Sequence, residues 1–424
     1  MNLCPVCPRV VLPPTRHVNS VSFPLRLSLL SLALTAATGS SIQICSPSSG
    51  VIAMSSDPIS LPPPPPPRHH VVVGCGLACL DFLGAVASYP NPDDKIRTTD
   101  LKVQGGGNAA NALTCAARLG LKPRLISKVA DDSQGRGILE ELKADGVDTS
   151  FFVVSLDGNS PFTYVIVDNK TKTRTCIQTL GHPTLLPDEL PLSSLTSALD
   201  EARIVFFDGR FPETALKIAQ EAVSKHIPVL VEAERLREGL DDLLIVADYA
   251  VCSAKFPTAW TNEASIARAL LSIMLRLANL QFVIVTMGED GCIMLERSVD
   301  DNPDSGEEDV DILLDSLKLK SPNYMTLPTC ILSPKMKLIA KEIGTVSGRL
   351  YLGTAEKIPP SEIVDTTGAG DAFIGATLYA LCAGMPPEKM LPFAAQVAAA
   401  NCRALGARAG LPHRTDPRLA PYFQ

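Results

Sequence analysis

The sequence predicts an α/β protein: a mostly parallel sheet between helices, with a small β flap set on it. Two observations carry this. Short apolar runs at 124–130, 203–207, 228–233, 249–252 and 282–286 alternate with helical stretches such as 135–144, 213–225 and 264–278. Buried strands alternating with helices are the pattern of βαβ units. The segments at about 85–104 and 160–180 break that rhythm. In the second, 162–167 and 174–177 flank Asp168-Asn169-Lys170 and read as a hairpin. Both segments are therefore assigned to an antiparallel flap.

The 424 residues are 46% hydrophobic, ample for a core, and carry a formal net charge of −7. No basic patch points to nucleic acid, and an acidic balance of this size is an ordinary solvated surface. Twelve cysteines are present. Three lie in the first 45 residues and the rest scatter through apolar runs without framework spacing, which reads as reduced, buried thiols. The six His never cluster at ligand spacing, so zinc is not expected.

Residues 1–70 read as a leader outside the fold. Before Asp57 there is no acidic residue, but several Ser and Arg9, Arg16 and Arg26, which fits an organellar transit peptide. The apolar run 27–37 resembles a short signal core, which the cysteine pattern downstream disfavours, and it is too short to span a bilayer. Alternatively Met54 is the working start, ahead of a polyproline spacer at 62–67. Two destinations stay open, the cytoplasm and a plastid.

In chain order, Val71-Val72-Val73 forms a buried strand that ends at Gly74-Cys75-Gly76. Asp81 follows inside an apolar stretch, either as a turn residue or as a carboxylate for substrate hydroxyls. Gly105-Gly106-Gly107 then precede Asn108 and Asn111, which share a helix face. Bare backbone with two amides beside it suits a polyhydroxyl ligand, because each amide both donates and accepts. Thr286, Gly288 and Gly291 sit at a strand end, where α/β sheets bind ligands; the Gly-x-x-Gly turn reads equally as a plain hairpin. The run 298–311 is strongly acidic, and 297–345 reads as a disordered surface insertion before a strand resumes at 349–352. A last apolar helix covers 390–405.

The organising stretch is Val364-Asp365-Thr366-Thr367-Gly368-Ala369-Gly370-Asp371, followed at once by an apolar helix. Asp365 and Thr366 are suited to N-cap positions. Gly368, Ala369 and Gly370 leave bare N–H groups at a helix start, an anion site. Asp371 in the first turn either favours the helix dipole or takes a proton from a hydroxyl attacking a phosphoryl group held there.

With Gly105–Asn111 near the front and Asp365–Phe373 near the back, the chain from about 71 onward resembles the ribokinase-like (PfkB) carbohydrate kinases, ketohexokinase above all. Leu80-Asp81, Arg174-Thr175, Gly209-Arg210 and Val231-Glu232-Ala233-Glu234 add to the resemblance. It implies a three-layer αβα sandwich capped by a β lid that makes a homodimer contact. It implies ATP and Mg2+, with K+ as an accompanying monovalent cation. Asp371 would be the catalytic base, with Gly368, Ala369 and Gly370 as anion hole. Asp81, Gly107, Asn108 and Asn111 would bind the sugar, and Arg174 would reach in from the lid. Thr286, Gly288, Gly291 and Thr366 would border the nucleotide. Where many relatives carry Asn-x-x-Glu tied to magnesium, this chain reads Cys252-Ser253-Ala254-Lys255-Phe256, so no metal ligand is named. The implied acceptor is a ketohexose, then a ribose-type pentose or a nucleoside; a non-catalytic assembly subunit is the reading of a different class.

Overall fold

β1 (Val71–Cys75) is buried at every position and lies inside the larger of two sheets. The structure, a computed structural model, describes residues 70–171, 173–298, 306–320 and 326–423. The leader, its polyproline run and the readings attached to them lie outside the described residues.

After β1 come β2 (Cys79–Val86), β3 (Asp100–Gly106), helix α1 (Asn108–Arg118), β4 (Lys122–Ala130), α2 (Ser133–Ala144) and β5 (Phe152–Ser155). β6 (Phe162–Asp168) and β7 (Thr173–Thr179) form the hairpin. Next are α3 (Leu192–Leu199), β8 (Ala202–Phe207), α4 (Pro212–Ser224), β9 (Val229–Ala233), α5 (Leu240–Ile245) and β10 (Tyr249–Ser253). Then follow α6 (Phe256–Thr261), α7 (Ile266–Arg276), β11 (Phe282–Thr286), β12 (Cys292–Arg297), β13 (Glu307–Asp309) and α8 (Val310–Lys320). β14 (Cys330–Leu332), β15 (Met336–Ala340), β16 (Gly344–Gly353), α9 (Ala369–Ala383) and α10 (Pro387–Asn401) complete the order.

The large sheet runs β13-β15-β16-β12-β11-β10-β9-β8-β1-β4-β5. Its members pair in parallel from β5 through β11, and antiparallel pairing begins at β12. Alternate side chains of one strand enter opposite cores, as the period of two requires. Val73, Val205, Val229 and Val231 pack with α3, α4, α5, α7 and α8. Val72, Ile204, Phe206 and Leu230 pack with α1, α2, α9 and α10. Helices on both faces make three layers, and the expected sandwich holds.

The smaller sheet runs β3-β2-β6-β7. It differs from the antiparallel flap expected, because its central pair, β2 and β6, is parallel. The parallel pairing follows from the long excursion through α1, β4, α2 and β5 that separates the two strands. Its two faces have opposite character. Asp81, Thr163, Val165, Arg174, Cys176 and Gln178 face the large sheet's ligand edge and line a cleft. Val103, Phe82, Tyr164 and Ile177 form one row straight across the other face, where Val103, Tyr164 and Ile177 are each about half exposed.

The region expected to be a structureless insertion over 297–345 is otherwise where it is described. Val310, Leu313, Leu314 and Leu317 of α8 are buried, and β15 pairs with both β13 and β16. Most of the acidic run itself (299–305) and 321–325 lie outside the described residues.

Candidate active site

The parallel strands all end on one edge, and a cleft of about 470 Å³ opens there beneath the lid. It is lined by Asp81, Gly107, Asn108, Asn111, Arg174 and Thr286, and at the head of α9 by Gly368, Gly370 and Asp371. Ala369, Thr366, Gly288 and Gly291 are not among the lining residues.

The loop before α9 differs from the cap expected. The N-cap is Gly368, at φ 74° and with no side-chain cap. A Cβ there would stand 2.7 Å from the Ala407 backbone, so the position takes glycine for both its φ and its packing. Asp365 is buried and ties the loop sideways. It accepts from Thr367 N at 2.9 Å and Thr367 Oγ1 at 2.7 Å, and from Gly406 N at 2.9 Å. Thr366 Oγ1 accepts from Arg174 Nη1 at 3.0 Å, a bridge between lid and loop. In the first turn the Ala369 N–H reaches back to the Thr366 carbonyl at 3.3 Å. The N–H groups of Gly370 and Asp371 have no acceptor within the helix, as its geometry dictates.

Asp371 lies half-buried at the base of the cleft. Its Oδ2 accepts from Asn111 Nδ2 at 2.8 Å, across 260 positions of sequence. Loss of water pushes its carboxyl up to about 7; the Asn111 bond opposes the rise and the Glu234 carboxylate adds to it. Asn111 Oδ1 in turn accepts from Arg408 Nε at 2.8 Å. Arg408 is 1% exposed and also donates to the Gly106 carbonyl at 3.0 Å, with Glu141 Oε1 at 3.4 Å. Glu141 Oε2 closes the ring by accepting from Gly105 N at 2.6 Å. Both ends of the Asn111 amide are thus committed to protein, which sets it apart from Asn108.

Asn108 Nδ2 donates to Glu232 Oε1 at 3.0 Å. Glu232 is buried, and its Oε2 has no hydrogen-bond partner. Burial, and then the neighbouring Asp371, push its carboxyl well above the usual range. Asp81 is also buried and its carboxyl raised by burial; Cys79 Sγ donates to it at 3.4 Å. Gly106 leaves room for it, since a Cβ there would meet Asp81 Oδ2 at 2.2 Å.

Gly291 packs against the Gly353 carbonyl, where a Cβ would stand 2.1 Å away, and Gly291 N donates to Gly288 O at 3.1 Å. That is the plain-turn reading of the Gly-x-x-Gly. Thr286 alone of that stretch reaches the cleft.

Sequence reading passed over Arg408, Glu141 and Asp208 and gave no role to Glu232 or Arg210. Asp208 is buried and accepts from Leu77 N at 2.7 Å and Ala109 N at 3.2 Å, tying the turn between β1 and β2 to the first turn of α1. A signal did exist for Glu232. It occupies a place in β9 where strand alternation puts a core side chain, between Val231 and Ala233. Among the described residues no group of three or more His, Cys, Asp or Glu stands close enough to hold a metal unaided.

The profile of the pfkB family carbohydrate kinase matches residues 70–307 and 349–414. The chain belongs to that family and is a sugar kinase. The break in the match, between 307 and 349, falls on α8, β14 and β15. Mus musculus ribokinase is 22% identical over 358 residues, covering 82% of this chain and 94% of that protein. Mus musculus ketohexokinase is 23% identical over 335 residues, covering 77% and 94%. The solved structure of Arabidopsis thaliana ribokinase complexed with ribose and ATP has a TM-score of 0.58 at 18% identity, covering 85% of this chain and 99% of that one. No described helix is long and apolar enough to cross a membrane.

Proposed function

We propose that the protein transfers a phosphoryl group from ATP to a sugar hydroxyl, with Asp371 as the general base. The observation that carries the reading is the 2.8 Å bond from Asn111 to Asp371, which joins the two family motifs in one cleft. Asp371 accepts the hydroxyl proton as the oxygen attacks the γ-phosphoryl in line. The N–H groups of Gly370 and Asp371 hold the charge that spreads over the transferred group, and the Ala369 N–H, at 3.3 Å from Thr366, turns toward it. Asp81 and Asn108, beside the bare backbone of Gly107, hold the acceptor's hydroxyls. Asn111 positions Asp371 instead of binding sugar, and Arg408 positions Asn111. Arg174 closes the lid over the phosphoryl through Thr366, and Thr286 borders the nucleotide; Gly288 and Gly291 shape the turn beside it.

The free Oε2 of Glu232 suits Mg2+, which is held mostly by phosphates and needs only one or two carboxylates from a protein. When bound, it neutralises charge between the phosphates.

The test is nucleotide-dependent turnover against a panel of ketohexoses, pentoses, nucleosides, sugar acids and sugar monophosphates. The expected result is ADP release that depends on one acceptor class. ADP release that no acceptor stimulates would set the reading aside.

The apolar row on the outer face of the lid supports a second copy of this chain as its cover. Four apolar side chains in register across four strands make a face suited to burial. Light scattering should give the mass of a dimer, and Tyr164→Asp should give a monomer; a wild type of single-chain mass at micromolar concentration removes the lid contact.

A further inference from the structure

Arg210 and Arg235 line the cleft with Arg237 near them, and the carboxylates that act on Arg210 are Asp208 and Glu234. Glu234 Oε2 is 2.5 Å from Arg237 Nη2 and 3.7 Å from Arg235 Nε. Arg210, in the loop after β8, has no carboxylate within ion-pair distance of its side chain among the described residues; its side-chain hydrogen bond is to Gln178 Oε1, at 3.1 Å. Burial, and then the charges of Arg237 and Arg235, pull its guanidinium below its usual value. A guanidinium presents five N–H donors in a rigid fork, and a neutral glutamine occupies one of them. Both Arg210 and Gln178 line the cleft, so the unused donors belong to its wall.

The position of this group decides what it meets. Gln178 lies four residues along β7 from Arg174, a separation of about 13 Å at strand rise. Arg174 reaches Thr366 beside the head of α9, where the phosphoryl group is transferred. Arg210 therefore meets the lid about 13 Å along β7 from the residue that reaches Thr366. Asp81 stands in the same row of the lid as Gln178, across Thr163, and Asn108 lines the same cleft; both are groups for hydroxyls.

We infer that the acceptor is a polyhydroxyl anion, whose own carboxylate or phosphate ester is held by the Arg210 fork at the Gln178 end of the lid. The inference rests on the kinase reading above and narrows its substrate class. A fork of planar donors matches either anion in a bidentate fashion, and one neutral partner leaves Arg210 available for it.

The test measures initial rates of the full-length chain with ATP on matched acceptors: neutral sugars, the corresponding sugar acids, and the corresponding monophosphates. One anionic series is expected to exceed its neutral counterparts at least tenfold in kcat/KM. Preference for the acids assigns a carboxylate, and preference for the monophosphates assigns a phosphate ester. Arg210→Gln should lower kcat/KM for the preferred anion by roughly 10- to 100-fold, mainly through its KM, with the KM for ATP unchanged. Arg210→Lys, a point charge without the fork, should recover only part of the loss. Neutral sugars used as well as both anionic series overturn the inference while the kinase reading stands. So does a rise in the KM for ATP in Arg210→Gln without change for the acceptor, because the arginines then serve the nucleotide. No turnover with any acceptor overturns both.

Discussion

Turnover is expected to fall by about 10²-fold or more when Asp371 is replaced by Asn, without loss of stability. Asn keeps the size and the acceptor for Asn111 but cannot take a proton. The wild-type kcat/KM should rise with pH through about 7, the value to which the buried carboxyl is pushed, because the base works only when ionised. The variant should lack that rising limb. Stability runs the other way. A carboxyl raised in the folded state binds its proton more tightly there, so its contribution is complete at low pH and is lost as pH rises through the folded value. Asp371→Asn never carries the buried charge. It should melt at or above the wild type at about pH 8, with the gap closing on acidification. A variant that keeps a near-wild-type rate, or a wild-type profile flat from about pH 5.5 to pH 8, removes Asp371 from the role.

Arg408→Met is expected to cost about 3 kcal/mol or more of folding stability and to depress turnover as well. Arg408 is 1% exposed and holds Asn111, the Gly106 carbonyl and Glu141 at once. Burial pulls its guanidinium below its usual value and Glu141 opposes that, so the cation is retained by its partners. Removing it leaves Glu141 without its charge partner and Asn111 Oδ1 without a donor in a buried place, where an unmet acceptor costs about 1–3 kcal/mol. Asn111 then has no fixed orientation from which to hold Asp371. Denaturant midpoints report the first effect. The second is read as kcat at a temperature where the variant is fully folded. An unchanged midpoint together with an unchanged kcat would falsify the relay.

What could be read from the chain was what is local. The head of α9 and its Asp371 announce themselves because glycines, acid and apolar helix are consecutive, and the pairing of Asn108 with Asn111 follows from helical spacing alone. Asp365 precedes a helix and so reads as a cap, but its partner Gly406 is remote in sequence and nothing near Asp365 points to it. Arg408 is harder still: its three partners come from the end of β3, from α1 and from α2, and only the folded chain collects them. α8 is a different case. Val310, Leu313, Leu314 and Leu317 follow helical spacing, but Ile312 and Leu319 lie exposed on the other side and blur the stripe, and the acidic run before it dominates the composition. The parallel pairing of β2 with β6 had no local signal, since strands that far apart are matched by the fold around them.

That pairing constrains how the lid can move. The chain enters the small sheet from β1, leaves it for α1, returns from β5 and leaves again for α3. The two hairpins stand side by side, and peeling one from the other would break the whole ladder between β2 and β6, which pairs residues 80–86 with 162–168. The lid must then swing as a single plate on its four connections to the large domain body. The cost of admitting substrate then falls on the contacts that Arg174 and Gln178 make at its margin, and none of it on the hydrogen bonds that hold the plate together.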